Sequence, residues 1–71
     1  MLSPDMKVIH ISKLNNHIEL LGLMQDDYIR WVKETTDPEL NFIYSSVASR
    51  LNETVREMNL LLATLKKEPG K

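Results

Sequence analysis

The sequence predicts an all-α protein, two long antiparallel helices forming an αα-hairpin. Three observations predict it. Apolar residues recur in alternating steps of 3 and 4 through both halves of the chain, the spacing that puts them on one side of a helix. One strong interruption, Thr35-Thr36-Asp37-Pro38-Glu39-Leu40, falls near the middle. The other helix-breaking residues are Pro4, Gly22, Pro69 and Gly70, which leaves nothing else to divide the chain.

The first element opens at Ser3-Pro4-Asp5. Serine caps a helix, proline suits the first helical position and aspartate suits the positive end of the helix dipole. The next residues, Met6 to Ser12, are rich in β-branched side chains and would also suit a short strand. Helix is preferred because the start signal lies before them. From there Ile11, Leu14, Ile18, Leu21, Gln25, Tyr28 and Val32 form a heptad seam, broken by polarity only at Gln25. Leu20, Met24 and Trp31 widen it on one side, and Asn15, Glu19, Asp26, Asp27, Arg30, Lys33 and Glu34 fill the other half of the circle. Gly22 lies at the boundary, either tolerated at a small cost or admitting a second backbone.

Pro38 disfavours helix in the residue before it and removes a backbone donor, so the first helix, over about 4–34, stops there. Asp37 with Pro38, or Thr36 with Glu39 in a capping box, restarts the chain. So short a link favours antiparallel neighbours. The second helix, over about 38–67, carries a seam of Leu40, Tyr44, Val47, Leu51, Thr54, Met58, Leu61 and Leu65, with a parallel stripe of Ala48, Val55 and Leu62. Phe42 and Leu60 fall opposite the seam. Lys66-Lys67 and Pro69-Gly70 suit a helix end, with residues 68–71 a frayed tail.

A length of 71 residues allows one domain, taken as 1–71. A chain so short buries little of its own surface and usually needs disulfides, a metal or a partner chain. There is no cysteine, which removes disulfides and thiolate chemistry. Both apolar arcs are broader than a two-helix seam requires, so dimerisation into a four-helix bundle is expected, with a hairpin and dimer core of Leu14, Ile18, Leu21, Tyr28, Val32, Leu40, Tyr44, Val47, Leu51, Val55, Met58, Leu62 and Leu65. Trp31 and Phe42 are the candidate partner surface, because aromatic side chains anchor interfaces.

Several chemistries are weighed and set aside. His10 and His17 have Leu14 and Leu21 at their i+4 positions, which cannot complete a metal site. Asp26, Asp27 and Glu34 lie on the polar half beside Arg30 and Lys33 and read as a solvated charged face. Ser45, Ser46 and Ser49 have no histidine or lysine nearby in sequence to activate them. The expectation is no enzyme, no cofactor and no metal. No apolar run approaches the ~20 residues of a membrane span, so no membrane partner is expected and the default location is cytoplasmic.

Lysine and arginine number 9 and aspartate and glutamate 10, without the basic excess that nucleic-acid binding usually brings. A strand over Lys7–Ser12 followed by two helices would be ribbon–helix–helix order, but basic residues are few there. The segment from Leu40 to Glu53 resembles the Hha/YmoA family, small helical partners of a nucleoid protein, at Leu40, Tyr44, Ser45, Arg50, Leu51 and Glu53. The remainder of the chain departs from that family. The leading expectation is therefore a non-enzymatic protein–protein interaction module, an adaptor, regulator or assembly subunit acting as a helical homodimer. A nucleic-acid-associated regulator is the alternative.

Overall fold

A computed structural model describes residues 2–67. Helix α1 spans Pro4–Glu34 and helix α2 spans Pro38–Lys67. They pack against each other as an antiparallel hairpin measuring 54 × 15 × 13 Å. The stop at Pro69-Gly70 and the tail 68–71 lie outside the described residues.

The caps explain where the helices begin and end. The Ser3 hydroxyl accepts from the Met6 amide at 3.2 Å, and Pro4 occupies the first turn, where a missing N–H costs nothing. Met6 to Ser12 are helical. Because the cap precedes them, their β-branched side chains follow the helix already started. At the turn, Thr35 leaves the helix with an extended backbone while its amide still bonds the Trp31 carbonyl at 3.0 Å. Its hydroxyl accepts from the Asp37 amide at 3.2 Å. Of the two possible restarts, the chain uses Asp37. Its Oδ1 accepts from the amides of Glu39 at 2.9 Å and Leu40 at 3.3 Å.

A side-chain bond next to the turn ties the two helices. The Asn41 side chain donates from Nδ2 to the Val32 carbonyl at 2.8 Å. That carbonyl is in the last turn of α1, where no further helical amide is available to it.

The seam of α1 is as its spacing predicts: Ile11, Leu14, Ile18, Leu21, Gln25, Tyr28 and Val32 are all at least half-buried, and Leu14 is 7% exposed. In α2 the seam differs from the expected one. Tyr44, Ala48, Leu51, Val55, Met58, Leu62 and Leu65 turn toward α1, whereas Leu40, Thr54 and Leu61 stand exposed. Both rows flank the same central residues. The row containing Ala48, buried to 9% exposure, allows the closer approach of the two axes, since interaxial distance follows side-chain size at the contact. Within the hairpin no second backbone approaches Gly22: a Cβ there would meet nothing within 4 Å.

Candidate functional site

The hairpin has two broad faces, and they differ. Beside the seam, one row of α1 carries His10, His17, Met24 and Trp31, and the adjoining row of α2 carries Leu40, Val47, Thr54 and Leu61. In an antiparallel pair these rows lie on the same side. The structure brings them together at both ends. At the open end, His10, Lys13, Leu14 and His17 share a shallow trough of about 370 Å³ with Leu61 and Leu65. At the turn end, Trp31, Glu34 and Thr35 line a recess with Tyr44. One row further out stand Met6, Leu20 and Ile43, all exposed, with Leu20 at 57%.

The opposite face carries Asn15, Gly22, Ser45, Asn52 and Asn59, interrupted by the exposed Val8 and Ile29. Here the Gln25 side chain leans out of the seam and donates from Nε2 to Asn52 Oδ1 at 3.2 Å. One face is thus mainly apolar and the other mainly polar, although both flank the same seam.

Three of the aromatics gather at the turn end. Tyr28 and Trp31 meet edge-on with centroids 5.0 Å apart, and Tyr44 lies 6.1 Å from Tyr28 and 5.8 Å from Trp31. These three cap the turn end of the seam. Phe42 does not join them. It is 75% exposed on the outer side of α2, so the two candidate partner residues do not form one surface.

Of the residues named for the core, Leu14 is buried and Leu40 is exposed. The other members, Ile18, Leu21, Tyr28, Val32, Tyr44, Val47, Leu51, Val55, Met58, Leu62 and Leu65, are half-buried. Sequence reasoning did not identify the role of Asn41 across the turn. An asparagine one turn after a helix restart, level with the last carbonyls of the preceding helix, is the signal that marks it.

Among the described residues, no group of three His, Cys, Asp or Glu side chains is placed to hold a metal ion, and no helix is long and apolar enough to cross a membrane. Asp27 pairs with Arg30 of its own helix. No family model, curated protein or solved structure matches the chain. The fold and surface together define an all-helical hairpin with one apolar face.

Proposed function

We propose that the chain is a non-enzymatic protein–protein interaction module that works as a helical dimer, with the apolar face as its contact surface. The supporting observation is surface area. The chain exposes 5647 Å², against about 4,500 Å² for a compact monomer of its 8.2 kDa mass. The excess of about 1,100 Å² exceeds the ~800 Å² that each partner contributes to a standard interface. The radius of gyration, 16.1 Å, likewise exceeds the ~11 Å of a compact domain of this length.

The energetics point the same way. Among the described residues only Leu14 and Ala48 are buried hydrophobics, while Met6, Leu20, Met24, Trp31, Leu40, Ile43 and Leu61 remain exposed on or beside one face. Covering apolar area contributes roughly 25 cal/mol per Å², which makes association the largest stabilisation still open to this chain. The helical Lys7–Ser12 segment provides no strand for a ribbon–helix–helix arrangement. Sedimentation velocity at micromolar concentration tests the reading. A folded species of twice the chain mass is expected, and a stable, well-folded monomer would contradict it.

A further inference from the structure

The two ends of the apolar face differ in charge. At the turn end, the recess beside Trp31 and Tyr44 has an acid, Glu34, as its charged residue. At the open end, the trough of about 370 Å³ is lined by bases, Lys13 with His10 and His17, and by no acid. We infer that this trough binds an anionic single-chain amphiphile, a long-chain carboxylate, with its aliphatic chain on the leucines and its head group at Lys13 and the two histidines. The site goes beyond the dimer reading and does not rest on it, because every lining residue belongs to one chain. It takes the half of the face nearest the open end and leaves Leu20, Met24, Trp31 and Leu40, nearer the turn, for contact with a second copy.

The apolar lining comes from Leu2, Leu14, Leu61 and Leu65. Leu14 is 7% exposed and forms the closed side, whereas Leu61 is open at 50%. Leu61 and Leu65 are one turn apart on the same side of α2, so their apolar strip runs along the helix, as suits an extended chain. Small-molecule sites typically have volumes of about 300–1,000 Å³, mainly apolar walls and a few polar groups that fix orientation. The trough has all three properties.

The basic side chains are placed to act on one head group. His10, Lys13 and His17 stand at i, i+3 and i+7 on α1, so each is the surface neighbour of the next. All three are exposed. One turn to either side of Lys13 are Ile9, His10, Asn16 and His17, none of them an acid, and Lys13 makes no ion pair among the described residues. Glu57, one turn before Leu61 on α2, does not line the trough. The ends of both helices here add Lys7, Lys66 and Lys67 against Asp5. A neutral apolar occupant would use the leucines alone. A carboxylate also gains charge-assisted hydrogen bonds from the bases.

Decanoate tests the site, with decyltrimethylammonium and decyl maltoside as chains of the same length bearing other head groups, each below its micelle concentration. In the full chain, the NMR signals of Leu14, Leu61, Leu65, His10 and His17 should shift with decanoate, which should bind at least about tenfold tighter than decyltrimethylammonium. Each methylene removed from the chain should weaken binding roughly twofold to fourfold. Lys13→Glu should weaken decanoate binding at least about tenfold, whereas Lys33→Glu, at the other end of α1, should leave it unchanged. Leu61→Ser, at an exposed position, should weaken all the chains alike. Equal affinity for the three head groups, or undiminished decanoate binding by Lys13→Glu, overturns the site. Leucine signals that follow protein concentration and ignore decanoate assign the trough to a second copy and overturn it as well. Sedimentation of the same samples separates the two readings. A dimer that takes up no decanoate overturns the site alone, and a monomer that binds decanoate overturns the dimer alone.

Discussion

The two broad faces of the hairpin share one seam, one pair of caps and one turn, yet they present different chemistry. The polar face ends in Asn15, Ser45, Asn52 and Asn59, with Gln25 reaching across to Asn52. The apolar face carries Met24, Trp31, Leu40 and Leu61 beside the seam and Leu20 outside it. The seam needs only the residues between the helices, so holding the hairpin together explains neither face. A lone hairpin would be served by two polar faces. Apolar side chains scattered over a surface, such as the exposed Ile9, Leu23, Phe42 and Leu60, are ordinary, whereas Met24, Trp31, Leu40 and Leu61 gather in two neighbouring rows on one side of the seam, the kind of grouping that suits a contact surface.

That contrast can be broken by substitution. The largest effect is expected in the seam that both faces share. Leu51→Asp or Leu21→Asp puts a charge between the helices and should cost more than about 3 kcal/mol, abolishing the cooperative thermal transition seen by circular dichroism. An unchanged melting curve would mean that the seam is wrongly placed. Next come the faces themselves. Leu20→Asp, on the apolar face, should raise the dimer dissociation constant at least about tenfold, whereas Asn52→Asp, which keeps an oxygen for Gln25, should change it less than about twofold. Equal effects would remove the distinction between the faces.

Smaller effects sharpen the account. Asn41→Ala leaves the Val32 carbonyl without its cross-turn donor and should cost about 1 kcal/mol in urea unfolding, with little change in dimer affinity. Gly22→Ala should stabilise by about 0.5–1 kcal/mol, because an interior glycine costs a helix that much and the added methyl meets nothing within 4 Å. A loss of stability would show that a second chain approaches the backbone at Gly22.

The sequence carried the fold through local rules. Ser3-Pro4 and Asp37-Pro38 state the helix starts in residues whose side chains make the caps seen in the structure. The 3–4 spacing states α1's seam just as directly. In α2 the same spacing was ambiguous, because largely apolar rows, Leu40-Val47-Thr54-Leu61 and Ala48-Val55-Leu62, flank Tyr44-Leu51-Met58-Leu65 on both sides. Periodicity gives the direction of a broad arc but not which side of it a neighbouring helix occupies. That choice belongs to packing, where small Ala48 sits in the seam. The polar character of the opposite face was partly legible in the Asn41, Ser45, Ser49, Asn52 and Asn59 stripe. Its alignment with Gln25 required the hairpin geometry.

The most direct test of the central claim compares the two faces in one assay. Single cysteines at Met24 and at Asn52, introduced separately into the cysteine-free chain, can be alkylated over a range of protein concentrations. The account predicts that Met24→Cys becomes protected as concentration rises through the micromolar range, while Asn52→Cys reacts at a constant rate. A folded protein in which both thiols react alike at every concentration would contradict it.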